Sequence, residues 1–552
     1  MNFIRKVSML LLIGSVGALG WTVYKQQHEQ RRLSAQLKEL QAATLPTAEQ
    51  EAQPGCSLGA QGSPVQSWSD IQGIAKDTVV QVISQVAQFD WLEPYKSPAQ
   101  GQGLGSAFFI NQDGELITNA HVVNQAKAVF IQVPSLGKRR LEVDVIGISP
   151  DRDLALLRLR PHELALIKEF SGRVPTLSFG NSDKVSRAEE IMALGYPLGQ
   201  QSLKSTTGVV SGREHIMGKY MIQISTPINP GNSGGPSINR CGHVIGVNTA
   251  GIYPAQNVNY IIPSNEVQLF LSQLTQLPEP KPTDHTNIKF LRKPCLGVMY
   301  NNATDDLAKF LGNPQPGGMY IVETLPGTPL NKAGVKPGDM LYEINGHTLD
   351  VFGDMNMPWC EDKISITDYV SGLMLGEDVH LKVYRAGKPL EFVFKLDQSD
   401  PNGVRRMYPG YEYIDYEVIG GMVMMQLSAD HIQLLVQVAP ELARYAEPKE
   451  QIEPAVIITH VMPDSAATRA RSIGVGAILA EVNGMPVKTL ADFRAAIKKG
   501  ITDNVVTLKT SENTFAVLPL RKMLADEQKL SDNYYYRITD FVQSLLNTTQ
   551  AK

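Results

Sequence analysis

Three short motifs carry side chains whose chemistries are complementary. Ser233 lies in Asn229-Pro230-Gly231-Asn232-Ser233-Gly234-Gly235-Pro236, a glycine-rich tight loop between apolar strands. Acyl transfer needs a serine oxygen exposed on a sharp turn, beside backbone N–H groups aimed at the oxygen that becomes negative in the tetrahedral intermediate. Gly231 and Ser233 offer such groups, and Gly231-Asn232-Ser233 is the expected oxyanion loop. A serine hydroxyl is a weak nucleophile without a base in reach. His121, in Leu116-Ile117-Thr118-Asn119-Ala120-His121-Val122-Val123, follows a predicted strand, and the small Ala120 leaves room for its ring. The third requirement is a carboxylate that accepts from the other ring nitrogen. Asp153 stands at the mouth of the apolar run Leu154–Leu159, where burial on one side demands a partner. Asp151 competes by composition, with a turn or solvent-facing carboxylate as its plainer role.

Elements able to position these residues are short strands. From about Trp68 to Leu277, β-branched runs such as Thr78–Val86, Ser106–Ile110, Val143–Ile148 and Val244–Thr249 alternate with glycine and polar turns, which predicts a barrel or sandwich. An amphipathic helix is expected around Asn265–Gln276, before a stiff linker, Pro278-Glu279-Pro280-Lys281-Pro282, within 278–289. Beyond it, Gly338-Asp339-Met340-Leu341-Tyr342-Glu343-Ile344-Asn345-Gly346 and Gly476-Ala477-Ile478-Leu479-Ala480-Glu481-Val482-Asn483-Gly484 repeat one pattern, a short strand closed by an Asn-Gly turn. Two related modules are expected, at 290–397 and 398–525, with a tail over 526–552 carrying Tyr534-Tyr535-Tyr536.

At 552 residues the chain is too long for a single core. Its 43% hydrophobic and 19% charged residues are those of a globular protein. A net charge of -4 without a basic stripe argues against a nucleic-acid partner. Ten dispersed histidines without HExxH give no metal site, and no cofactor is implied. Cys56, Cys241, Cys295 and Cys360 lack CxxC spacing; unpaired thiols are expected, with a Cys295–Cys360 pair the alternative. Arg5 and Lys6 precede the apolar run Val7–Tyr24, read within 1–24 as a retained membrane anchor or, with cleavage after Ala18-Leu19-Gly20, an export signal. A stalk helix and linker are expected over 25–66.

The order His, Asp, Ser, together with Gly103-Leu104-Gly105-Ser106-Ala107-Phe108-Phe109, Gly195-Tyr196-Pro197-Leu198-Gly199 and Gly246-Val247-Asn248-Thr249-Ala250, resembles the chymotrypsin-type proteases of the HtrA/Deg family. The resemblance implies a mainly β chain: two perpendicular six-stranded β-barrels over 67–277, then two PDZ-like α+β domains. It implies His121, Asp153 and Ser233 as a catalytic triad and Ile228, Asn248, Thr249 and Ala250 around the specificity pocket. With no acidic residue from Thr226 to Pro230, cleavage after small or medium aliphatic residues is expected. In the first module Cys295-Leu296-Gly297-Val298 fits the loop by which a PDZ groove captures a peptide carboxylate, with Leu296, Gly297 and Val298 as the binding residues. The second module has a long insertion, Ser428–Glu453, and is similar to the distal PDZ-like domain of plant-organelle-type Deg proteases. The implied function is ATP-independent quality control of misfolded exported proteins in a periplasm, by a trimer-based homo-oligomer. A peptide-binding chaperone or scaffold and a protease with one dedicated substrate are the alternatives.

Overall fold

The computed structural model describes residues 67–216, 218–251, 258–281, 286–398 and 403–550, with the backbone alone for 250, 251, 549 and 550. The expected anchor or signal, stalk and first linker lie outside the described residues. Among the described residues no helix is long and apolar enough to cross a membrane.

Twelve strands build the first part of the chain. β1 (Val79–Gln88), β2 (Ala99–Phe109), β3 (Glu115–Thr118), β4 (Ala126–Gln132), β5 (Leu141–Ser149) and β6 (Leu154–Leu159) pair in the order β5-β4-β1-β2-β3-β6, and a β5–β6 pairing closes the ring. β7 (Glu190–Gly195), β8 (Lys204–Ile216), β9 (Lys219–Ile224), β10 (Pro236–Asn239), β11 (Val244–Gly251) and β12 (Asn259–Pro263) form a second closed barrel.

Strand periodicity decides which side chains fill a barrel and which join the two. Successive residues of a strand point to opposite faces. On β6, Ala155, Leu157 and Leu159 enter the first barrel's core, while Leu154 and Leu156 enter a cluster with Leu194, Tyr196 and Val247 of the second barrel. On β2, Ala107 and Phe109 face inward and Phe108 faces that shared cluster. Both strands are therefore apolar on both faces, which is why they read as continuous runs. The helix Ser264–Gln276 adds Val267, Phe270 and Leu274 to the same seam.

The chain after the linker first returns to the protein's opening barrel, where Lys289–Phe290 pairs in parallel with β5. The first downstream module then runs Val298–Asn302, Met319–Thr324, Met340–Ile344, Asp378–Arg385 and Lys388–Lys395 across one sheet. The second orders Tyr416–Ile419, Met422–Gln426, Val456–Val461, Ile478–Val482, Val505–Thr510 and Phe515–Pro519. The repeated strands of the sequence pattern are Met340–Ile344 and Ile478–Val482. Each ends at an asparagine with positive φ, Asn345 at 48° and Asn483 at 49°, followed by a left-handed glycine, the backbone of a tight hairpin turn.

Two expectations change. Cys241 is disulfide-bonded, where unpaired cysteines were expected; Cys295 and Cys360 remain thiols. The supposed tail is part of the second module. The helix Leu520–Tyr534 crosses the expected boundary, and Leu524, Val542 and Leu545 enter that module's core. Tyr535 adopts a left-handed conformation (φ 56°) that separates its neighbours: Tyr536 is buried while Tyr535 is exposed.

Phe108 is fully buried at the barrel seam, so Phe108→Ala should destabilise the barrels by about 3–5 kcal/mol. Phe170→Ala, at a side chain 60% exposed, should lie within about 0.5 kcal/mol of the parent. Urea denaturation followed by fluorescence tests both.

Candidate active site

The turn from β5 to β6 ends at Asp153, whose φ of 58° closes it in the left-handed region. Aspartate is among the few non-glycine residues found there. That conformation leaves the carboxylate buried, 7% exposed, where the barrels meet. Its Oδ1 accepts from the backbone N–H of His121 at 3.0 Å. The imidazole Nδ1 lies 3.0 Å from Oδ1 and 2.9 Å from Oδ2. Oδ2 also accepts from the Thr249 hydroxyl of β11 at 2.6 Å. Asn119, which precedes the one-turn helix Ala120–Val123 bearing His121, donates its amide to the Asp153 carbonyl at 2.9 Å.

Burial alone would raise the Asp153 carboxyl. The His121 hydrogen bond and charge, then Lys219 and the Thr249 hydroxyl, more than reverse it and hold the group below the usual carboxylate range. A carboxylate can only accept, so Nδ1 carries a proton, and the nitrogen left to exchange its proton is Nε2.

Ser233 is buried, and its hydroxyl donates to the Thr249 carbonyl at 3.0 Å. Among the described residues no hydrogen bond joins Ser233 to His121. The loop holding the serine is fastened to the histidine's barrel by Ser106 of β2. Ser106 N donates to Ser233 O at 2.8 Å, Ser106 Oγ donates to Gly231 O at 2.7 Å, and Tyr196 N donates to Ser106 Oγ at 3.0 Å. Two glycines are required by this close approach. Gly231 (φ 100°) lies where a Cβ would overlap Tyr196 O, and Gly234 (φ 87°) where it would overlap Ser106 O.

Of the expected oxyanion loop, the Asn232 N–H is taken up by Asn229 O at 2.9 Å, which removes it as a donor. The N–H groups of Gly231 and Ser233 have no acceptor among the described residues, although both residues are buried. Buried N–H groups rarely go unpaired, so these two donors are available to an oxygen brought in from outside.

The expected pocket residues divide. Ile228 is half-buried against Val210, Ile222 and Ile224 of the second barrel. Asn248 is wholly buried beneath the serine loop, with its amide on Leu194 O at 3.0 Å and its oxygen accepting from Ser237 Oγ at 2.7 Å. It therefore braces the loop and does not line a pocket. Thr249 turns its hydroxyl to Asp153, and Ala250 contributes backbone on β11. Asp151, the alternative carboxylate, accepts from Lys293 N at 3.2 Å and takes no part in holding His121. The structuring roles of Ser106 and Thr249 were not read from the sequence; Ser106 stood in a quoted motif, and no local signal linked Thr249 to a residue 96 positions away.

In the first downstream module Gly297 has φ 70°, and its carbonyl accepts from Leu325 N at 2.8 Å. Leu296 places its side chain in the module core, and Val298 opens the sheet's edge strand.

Comparison with known proteins adds the following. The family model described as "Trypsin-like peptidase domain" matches residues 105–247, and one described as "PDZ domain" matches 410–539. A "Probable periplasmic serine endoprotease DegP-like" of Hahella chejuensis (strain KCTC 2396) is 27% identical over 443 residues, covering 78% of this chain and 83% of the relative. The "Periplasmic pH-dependent serine endoprotease DegQ" of Escherichia coli (strain K12) is 33% identical over 312 residues, 55% of this chain and 61% of that protein. A solved structure titled "HtrA-type protease AlgW with decapeptide" aligns at a TM-score of 0.46 and 21% identity, over 61% of this chain and 100% of that one.

Thr249→Val keeps the shape of the side chain and removes a donor from a buried carboxylate, a loss of about 1.5–3 kcal/mol. Peptide hydrolysis should fall about tenfold or more with the circular dichroism unchanged. An unaltered rate would show that Thr249 does not orient Asp153.

Proposed function

Because this chain belongs to the HtrA/Deg family of serine endopeptidases, we propose that Ser233 is its nucleophile, His121 its general base and Asp153 the carboxylate that orients that base. The observation carrying this reading is the grip of both Asp153 oxygens on His121 Nδ1, at 3.0 and 2.9 Å, from a buried position. It fixes the tautomer with Nε2 free to take a proton, and it is placed to stabilise the imidazolium that results.

In the reaction the Ser233 hydroxyl leaves Thr249 O and turns to His121 Nε2. Nε2 takes its proton as Oγ attacks the substrate carbonyl. The resulting oxyanion is received by the N–H groups of Gly231 and Ser233, each worth about 3–4 kcal/mol in the transition state. Collapse breaks the peptide bond, with the imidazolium proton passing to the departing amine. Water, activated by the same nitrogen, then releases the acyl group from Ser233. The observed serine orientation is thus a resting one, and a bound peptide that aligns the hydroxyl completes the site.

Ile228 and the backbone of Thr249 and Ala250 border the pocket for the residue before the scissile bond. With no carboxylate between Thr226 and Pro230, it accepts small or medium aliphatic side chains and discriminates against Lys and Arg. The first downstream module captures peptide C-termini through the N–H groups of Leu296, Gly297 and Val298. The substrates are unfolded or misfolded exported proteins. The relatives are named as periplasmic enzymes, and we place this chain in the same compartment, held by the Val7–Tyr24 run and assembled as a homo-oligomer, a trimer or a multiple of trimers.

Incubation of the full chain with a casein-like unfolded substrate should give peptides ending mainly in Val, Ala, Ile or Leu, and the Ser233→Ala variant should give none. Products ending chiefly in Lys or Arg would reject the pocket assignment. Equal cleavage by the variant would reject Ser233.

A further inference from the structure

The two downstream modules share a loop whose atoms can be matched one to one. Gly297 and Gly421 are both left-handed, at φ 70° and 84°. The carbonyl of each accepts a backbone N–H at 2.8 Å, from Leu325 and Met462 respectively. Each lies against the residue that begins the next helix, Thr328 or Ser465, so closely that a Cβ would overlap it. One residue earlier, Leu296 O accepts from Leu330 N at 3.4 Å and Gly420 O from Ala467 N at 3.2 Å. Gly420 therefore stands where Leu296 stands, and its N–H points where the first module is read as receiving a peptide carboxylate.

In the second module that position is filled. The Gly420 N–H donates to Glu527 Oε2 at 3.0 Å. Glu527 comes from the helix Leu520–Tyr534 and is fully buried, and its Oε1 accepts from the Tyr536 hydroxyl at 2.6 Å. The groove is filled too. Val298–Asn302 is an open edge of the first sheet, but its counterpart Met422–Gln426 is paired antiparallel from Met422 to Met425 with Tyr416–Ile419. A captured peptide would add to the first module in that way, as an extra strand with its carboxylate in the loop.

We propose that the second module is a peptide-capture site occupied by its own chain, with Glu527 as the carboxylate and Tyr416–Ile419 as the strand. This rests on reading Leu296–Val298 as the carboxylate loop of the first module. An acid so placed is not a packing convenience. Burial pushes the Glu527 carboxyl up to about 7, against the opposing hydrogen bonds of Tyr536 and Gly420, whereas an apolar side chain would avoid that desolvation. The same module also holds the β1–β2 connection of the protease part. Tyr536 packs on Tyr95 with ring centroids 5.6 Å apart, Thr459 Oγ1 donates to Leu92 O at 2.9 Å, and His431 Nε2 meets Trp91 O at 3.2 Å. External C-termini then have one receptor per chain, in the first module.

Two measurements test this, both on the full chain carrying Ser233→Ala to prevent cleavage. Calorimetric titration with a hexapeptide ending in a free apolar residue should show one peptide per chain, and none after Gly297→Val. Two peptides per chain, or one remaining in the Gly297→Val variant, would overturn the proposal. Second, Glu527→Ala should lower the melting temperature, and sodium acetate should restore about 2–4 °C that equimolar sodium chloride does not, with no such difference in the parent. Absence of an acetate-specific effect would overturn the assignment of Glu527. If the parent binds no peptide at all, the reading of the first module fails, and the acetate result alone decides whether Glu527 fills the loop. If Glu527→Ala does not fold, the peptide count decides.

Discussion

A carboxylate set at the seam of two barrels is stable only if its oxygens are met by donors, because water is not there to meet them. Asp153 satisfies that condition with groups from both barrels: the N–H and Nδ1 of His121 from one, the Thr249 hydroxyl of β11 from the other. Meeting the condition sets three things at once. It brings β11 to the one-turn helix that carries the histidine, it selects the imidazole tautomer, and it places Thr249 O beside Ser233. The same seam is filled by Phe108, Leu154 and Leu156 with Leu194 and Val247, so apolar packing and the hydrogen bonds of the carboxylate favour one relative placement of the barrels.

Thr249 acts through two atoms on different partners, its hydroxyl on Asp153 and its carbonyl on Ser233. The pairing of β11 with β12 slips between Asn248 and Ala250. An irregularity of that kind re-aims a residue that regular pleating would point elsewhere. The hydroxyl proton of Ser233 is held by Thr249 O. A single neutral hydrogen bond contributes only about 0.5–1.5 kcal/mol net, so turning the hydroxyl away costs little and leaves the buried carboxylate undisturbed.

What could be read from the sequence follows from the range of the interactions involved. Ser233, His121 and Asp153 announced themselves because each sits in a motif shaped by its own neighbours: glycines that allow the close approach at Gly231 and Gly234, a small Ala120, an apolar run after Asp153. The Asn-Gly turns at Asn345 and Asn483 were legible for the same reason. Asn248 and Thr249 were expected at a pocket wall, since nothing near them in sequence indicates that Ser237, Leu194 and Asp153 come within hydrogen-bond reach. Asn232 kept its place in the loop but not its free N–H, because that depends on whether the turn closes back on Asn229. The insertion Ser428–Glu453 read as a departure from pattern; in the fold Ile432, Leu435, Leu442 and Tyr445 form a core with Phe89, Trp91 and Leu92 from the β1–β2 connection, a contact across more than three hundred residues that no local periodicity encodes.

Arg152, adjacent to the aspartate, extends the same constraint to the first downstream module. Its side chain is fully buried. Nε donates to Glu266 of the seam helix at 2.7 Å, and Nη2 to the carbonyl of Ser371 at 3.0 Å. Gln273 of that helix reaches the neighbouring Leu373 carbonyl at 2.9 Å. Nη1 has no partner among the described residues, so the guanidinium is already short of one hydrogen bond. Withdrawal of the module would take a second, at about 1.5–3 kcal/mol for a bond to a charged donor, from the residue that precedes the left-handed Asp153. The module and the turn that carries Asp153 therefore share one buried cation, and the contacts of Arg152 tie both to the helix along the barrel seam.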